Sequence, residues 1–330
     1  MSKLPITIAT GDYDRVQGLI NGRVNVTGCD VNYLTVGPEQ LFFRAFRNQE
    51  FDVCEISMSS YLMSVARGTP HYFAIPVFIS RVFRHSCIYI RTDRGIKTPQ
   101  DLKGLRVGVP EYQVTAALWA RGLLDDEYGV APSDMRWFCG GLHEPGRTEK
   151  VPLALPEEIR IEQISADATL DQMFRDGEID VLISPRAPNS FLDKHENIDR
   201  LFPDYHTEER NYYKKTGIFP IMHVVAIRRS LVQQYPWLAS SLYEAFSASR
   251  SLAMEHIQDV AALSVTLPWL GSYIDETIQM MGDNYWPYGV QDNVVVLNKL
   301  LDYAFRHGTI TRKLTLEEIF VPSTLERFKV

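Results

Sequence analysis

Three absences narrow this 330-residue chain before any motif is weighed. It has no paired cysteines. The four present, Cys29, Cys54, Cys87 and Cys139, form no CxxC pair and match no metal-ligand spacing. A disulfide scaffold is excluded, and the thiols are expected to be buried in a reducing compartment. It has no long apolar run, the longest being residues 72–79, whereas a membrane helix needs ~20 residues. It has no positive excess: the formal net charge is −7 at pH 7. A general nucleic-acid binder needs a basic face and is excluded. A small anion remains admissible, because a few arginines in one cleft outweigh a mildly acidic whole. GxGxxG, Walker, HExxH, GxSxG and EF-hand patterns are missing, as is any recognisable nucleophile context. The start, MSKLPITIATGDYD, carries no apolar signal region and no cleavage site, so a cytoplasmic protein is expected.

What is present is ordinary globular material, 45% hydrophobic and 23% charged, with length for roughly two domains. Short apolar strands alternate with amphipathic helices, the α/β pattern. Strands are predicted near 5–10, 30–36, 51–56 and 72–79, then 87–91, 106–109, 135–139, 159–164, 180–184 and 217–227. Pro38 is a first-turn proline, and Leu41, Phe42, Ala45 and Phe46 make a helical stripe. Thr98-Pro99-Gln100-Asp101 reads as a capped helix start. The expected organisation is one α/β lobe from 1–91 plus 217–330, with a second α/β lobe, 92–216, inserted in it. Two crossings make a hinge, and the ligand cleft is expected between the lobes. The stretch 143–156, rich in charge and proline, reads as an irregular loop.

Strand C-termini and helix N-termini converge on such a cleft. Four segments are therefore candidates: Gly11-Asp12-Tyr13-Asp14, Glu55 to Ser60, Ser80 to Ser86, and Glu111 to Thr115 with Tyr112 and Gln113. Helix starts at Ser59 and Thr115 offer N–H groups to an anion. Arg81 and Arg84 suit a carboxylate because the guanidinium fork pairs with it bidentately; a solvated strand end is the plainer reading. Arg147 and Arg186 can reach the cleft from the second lobe or remain on the surface. His85 follows the arginines. His223 lies in an apolar strand, where burial demands a partner. The two crossing segments carry these histidines and bring them near one another. Asp12 and Glu55 are the carboxylates best placed to orient a histidine or accept a phenol proton.

The segments GDYD, FDVCEISMSSYL, AIPVFISRVFRHSCIYIR, TPQDLKGLRVGVPEYQVTAALWARGLL, GEIDVLISPRAP and TGIFPIMHVVAIRR resemble the 4,5-dihydroxyphthalate decarboxylase family, over about residues 6–246. DLKGLRVGV alone is less specific, since it recurs throughout type 2 periplasmic binding-protein-like folds. The resemblance implies that two-lobe α/β fold and loss of one carboxyl from 4,5-dihydroxyphthalate without an organic cofactor. The product implied is protocatechuate, within bacterial phthalate degradation. For that reaction Arg81 and Arg84, with Ser57, Ser59 and Thr115, are expected to hold the retained carboxylate. His85 is expected to protonate the ring carbon, oriented by Glu55 or Asp12. His223 and Tyr13 are expected near the hydroxyls, and Arg147 and Arg186 over the second carboxylate. A divalent metal held by Glu55, His85 and His223 is the alternative, though no ligand spacing supports it. The partners expected are a small aromatic dicarboxylate and further copies of the chain, with no nucleic acid or membrane. Trp269, Tyr273, Tyr285, Trp286 and Tyr288 serve either a subunit interface or the core. A non-catalytic binding protein or sensor for a small anion is the rival class.

Overall fold

The computed structural model describes residues 2–326. Its apolar strand segments form two sheets. The first contains β1 (Leu4–Thr10), β2 (Cys29–Thr35), β3 (Val53–Ser57) and β4 (Tyr72–Arg81). The second contains β5 (Ile88–Arg91), β6 (Arg106–Val109), β7 (Arg136–Cys139), β8 (Ile161–Gln163), β9 (Val181–Ile183) and β10 (Ile198–Arg200). A last strand, β11 (Ile221–Arg228), returns to the first sheet. The orders are β2-β1-β3-β11-β4 and β10-β5-β9-β6-β7-β8.

Both sheets are mixed, and their parallel pairs are joined by crossover connections. In the first sheet β1 pairs parallel with β2 and β3, while β11 runs antiparallel between β3 and β4. In the second, β6 pairs parallel with β7 and β9, while β5 is antiparallel to β9 and β10. The strand Ile88–Arg91, expected in the first lobe, thus pairs in the second sheet. The first crossing lies at residues 82–87. The second runs through the helix Tyr205–Thr216.

The helix Thr115–Tyr128 joins the two halves physically. Its Leu118, Trp119 and Leu123 pack in the core of the first sheet, while Ala117, Ala120 and Leu124 pack in that of the second. Trp119 donates its indole N–H to the Ile221 carbonyl at 2.8 Å. Gly122 lets the ring of Tyr303 lie against the helix backbone; a Cβ there would meet that ring at 2.2 Å. Tyr303 belongs to the helix Val294–Arg306, whose Arg306 pairs with Asp125 and Asp126 at 2.7 and 2.6 Å. Of the late aromatics, Tyr288 and Trp286 pack on the first core, whereas Trp269 is 71% exposed. Among the described residues no helix is long and apolar enough to cross a membrane.

Candidate active site

A cleft of about 590 Å³ opens between the sheets, with walls from both. On the first side β3 ends in Glu55-Ile56-Ser57, and β11 lies beside it with His223 opposite Ser57. That register makes His223 and Glu55 diagonal neighbours on one face. His223 Nδ1 lies 2.5 Å from Glu55 Oε1. The Tyr13 hydroxyl donates to the same oxygen at 2.8 Å, and the Gly11 N–H donates to Oε2 at 2.8 Å. Glu55 is fully buried. Burial opposes its charge, but the bonds from His223, Gly11 and Tyr13 outweigh it and lower its pKa below the ordinary carboxyl value. The phenol of Tyr13 is raised, by burial and by the adjacent Glu55. His223 lines the cleft, with its Nδ1 occupied by Glu55 and the edge of Phe42 against its ring.

Two helix starts meet at this wall. Ser57 precedes the helix Met58–Ala66, and Thr115 opens the helix Thr115–Tyr128. Their hydroxyls are 3.0 Å apart, and Thr115 also accepts the Ser59 N–H at 3.0 Å. Arg84 lines the cleft beside Met222, whose sulfur accepts its Nε–H at 3.1 Å. Burial lowers the Arg84 pKa from its usual value.

The second wall is ionic. Arg147 donates to the buried Glu111 at 2.8 Å and meets Glu39 at 3.2 Å. Lys150 also pairs with Glu111. Arg186, 65% exposed, reaches Glu39 at 3.5 Å. Glu39 sits on the helix Pro38–Phe43 of the first lobe, so these contacts with Arg147 and Arg186 cross the cleft. Burial pulls Lys150 below its usual pKa, against the attraction of Glu111.

Several expected residues lie elsewhere. His85 is 2% exposed, packed edge-on to the rings of Phe202 and Tyr212, and does not line the cleft. Burial lowers its pKa to about 4. It is positioned neither to protonate a substrate carbon nor to share an ion with Glu55 and His223. Arg81 is buried and bonds to the carbonyls of Phe219 and Pro287 at 2.9 and 3.0 Å and to the Asn293 side chain. It ties down the 287–293 segment instead of a carboxylate. Asp12 is exposed and accepts from Gln17 at 2.6 Å, leaving the orientation of His223 to Glu55. Tyr112 is core, under the guanidinium of Arg121 at 3.6 Å. Gln113 is buried between Ser60 and Glu149. Ser59 contributes its backbone to Thr115, with its side chain buried.

The cleft also contains residues that local pattern had not singled out: Glu39, Phe43, His143, Lys150 and Met222. His143 and Lys150 fall in the stretch read as irregular, and Glu39 follows the helix-starting Pro38. The charge of 143–156 was visible; its partners, far apart in sequence, were not. Among the described residues no group of three or more His, Cys, Asp or Glu is arranged to hold a metal ion.

Comparison with known proteins adds the following. The chain is 43% identical over 330 residues, all of both proteins, to 4,5-dihydroxyphthalate decarboxylase of Comamonas testosteroni. It is 45% identical over 214 residues to the Pseudomonas putida protein of that name, covering 65% of this chain and 83% of that one. Residues 13–158 match the family of phosphonate periplasmic substrate-binding proteins of ABC transporters. Among solved structures, the periplasmic aliphatic sulphonate binding protein SsuA of Escherichia coli aligns with TM-score 0.53 at 13% identity, over 98% of this chain and 99% of that one. A DszB variant in complex with biphenyl-2-sulfinic acid aligns with TM-score 0.55 at 16% identity, over 98% of each. The architecture is the two-lobe α/β fold of periplasmic binding proteins.

Proposed function

The chain belongs to the 4,5-dihydroxyphthalate decarboxylase family and is a carboxy-lyase of that substrate, and we propose that it works by protonating the ring carbon that loses CO₂. The observation that carries this reading is 43% identity over the full length to a decarboxylase, joined to a carboxylate-backed imidazole in the cleft. The two carboxyls of 4,5-dihydroxyphthalate are equivalent by symmetry, so losing either leaves protocatechuate. The binding-protein alternative is not favoured, because the relatives matched at 43–45% identity are decarboxylases.

Each ring hydroxyl is para to a carboxyl-bearing carbon. Removing its proton pushes electron density onto that carbon, which then accepts a proton. The C–C bond to the carboxylate breaks, CO₂ leaves, and the electron pair restores aromaticity. His223 delivers the proton to carbon, and Glu55 holds its Nδ1 and stabilises the imidazolium before transfer. Arg84, Ser57 and Thr115 bind the carboxylate that stays, while Arg147 and Arg186 draw in the dianion from the second lobe. Phe42, Phe43 and Met222 give the departing group an apolar wall, which favours neutral CO₂ over carboxylate.

This route uses acid–base groups of the chain and no organic cofactor. The test is CO₂ release and protocatechuate formation from 4,5-dihydroxyphthalate by EDTA-treated protein. Turnover supports the acid–base route. Tight binding without turnover, with or without added divalent ion, overturns it. The proposal extends to a cytoplasmic homo-oligomer. Four free, buried cysteines support the first part. Exposed Val260, Leu263, Val265, Leu267 and Trp269, clustered within residues 260–269, support the second.

A further inference from the structure

A second imidazole–carboxylate pair looks into the same cleft from the opposite lobe. His143 lines the cleft, and its Nδ1 lies 3.6 Å from Asp171 Oδ2. Asp171 is itself held: the N–H and hydroxyl of Ser190 both donate to its Oδ1, at 3.1 and 2.6 Å. Oδ2 is thereby turned to the imidazole.

The loop carrying His143 is built, not slack. The N–H groups of Leu170 and Asp171 donate to the carbonyls of Gly141 and Leu142 at 2.8 and 3.1 Å, tying the loop to the helix that supplies Asp171. At Gly141 the chain doubles back so sharply that a Cβ would sit 1.6 Å from the Glu144 carbonyl oxygen. Only glycine fits there, and the turn sets where His143 projects.

Decarboxylation by ring protonation needs two proton transfers at opposite ends of one ring, at a hydroxyl oxygen and at the carbon para to it. A single imidazole within hydrogen-bond reach of the carbon does not also reach that oxygen. Among the other proton-exchanging groups on the cleft wall, Glu39 is engaged by Arg147 and Arg186, Lys150 is engaged by Glu111, and Glu144 is an exposed carboxylate at the turn beside His143. His143 is the imidazole that remains on the wall beside His223.

We propose that His143, oriented by Asp171, is the base that takes the substrate's hydroxyl proton, across the ring from His223. The inference rests on the decarboxylase reading and deepens it. The hydroxyl O–H proton passes to His143, and Asp171 balances the imidazolium formed. His223 gives a proton to the para carbon, the carboxylate leaves as CO₂, and its bonding pair returns to the ring. His143 then reprotonates the oxygen, and solvent reprotonates His223, so one solvent proton is consumed per CO₂. Acid and base come from different lobes, so the catalytic set is complete only when the lobes are together.

The product is a convenient probe, because a bound catechol that loses its proton gives a catecholate ultraviolet difference band. Protocatechuate is titrated into the wild type and into His143→Asn, His143→Gln, Asp171→Asn and His223→Asn, with turnover of 4,5-dihydroxyphthalate measured in parallel. We expect the band in wild type and in His223→Asn, and its loss in both His143 variants with protocatechuate affinity kept. Their kcat should fall ~10²–10⁴-fold, the usual contribution of a positioned base. Asp171→Asn should weaken the band and lower kcat by less than either His143 variant. Folded His143 variants that keep the band, whatever their turnover, overturn the proposal. Wild-type protein that binds the probe with the band but releases no CO₂ overturns the decarboxylase reading instead.

Discussion

Replacing Glu55 by Gln tests the first-lobe proton donor, and the structure says how the variant will rearrange. Three donors converge on this buried carboxylate: the Gly11 N–H, the Tyr13 hydroxyl and His223 Nδ1. Gln offers one acceptor and one donor. The Gly11 N–H can only donate, so the Gln carbonyl must turn to it, and the NH₂ group then faces Tyr13 and His223. The tyrosine hydroxyl can rotate to accept. His223 must present a bare Nδ1, which moves its proton to Nε2 and removes the negative charge that supports an imidazolium. Three charge-assisted bonds become neutral ones, a stability loss of about 2–3 kcal/mol. The change in the proton donor lowers kcat by ~10²–10⁴-fold while KM moves little. Steady-state kinetics read the first effect, denaturant melts the second, and ¹⁵N shifts of the imidazole report the tautomer. Adding Glu55→Gln to His223→Asn should cost little further, because the two residues act as a unit. A folded Glu55→Gln protein with kcat within about threefold of wild type would refute the reasoning.

Three further predictions follow from other parts of the fold. Burial raises Glu209 to about 7, against the pull of the Ser86 N–H and Arg84. The folded state therefore keeps this proton to higher pH than the unfolded chain, and stability falls as pH rises from about 4.5 through 7. Glu209→Gln should remove that decline and add about 1–2 kcal/mol at pH 8, after allowance for solvent screening, with little change at pH 4.5; melts with the same pH slope as wild type would contradict it. Gly122→Ala should destabilise by about 1–3 kcal/mol, since its Cβ would overlap the Tyr303 ring; an unchanged urea midpoint would mean that the two helices separate easily. His85→Gln should keep kcat/KM within about threefold, because the imidazole is buried between Phe202 and Tyr212; a hundredfold loss would return His85 to the chemistry.

Local pattern carried the architecture a long way. The strand that ends at Thr10 before Gly11-Asp12, the apolar β4 and the helix opened by Pro38 form because alternation and first-turn preferences act over a few residues. The pairing of Glu55 with His223 was within reach, since a carboxylate and an imidazole in apolar strands both demand partners. Which charged groups face the cleft depended on distant contacts. Arg84 reaches it, while Arg81, three residues earlier, is captured by the 287–293 segment. His85 is enclosed by rings more than a hundred residues away. Glu39, Glu111 and Lys150 acquire meaning only as a network across folded chain, and nothing in their neighbouring residues announces it.

The position of β11 bears on how the molecule is made. This strand lies between β3 and β4, which are joined early in the chain yet never pair with each other. During synthesis the first sheet stays split until Arg228 has emerged, whereas every strand of the second sheet is available once Arg200 has appeared. The inserted half can therefore form first and bring residues 82–87 and the returning helix side by side before β11 slots in. His223 rides on that late strand, so the site acquires its first-lobe imidazole at the step that closes the sheet. A nascent chain arrested before residue 221 would expose two unpaired edges, at β3 and β4, which is where aggregation of an incomplete product would begin.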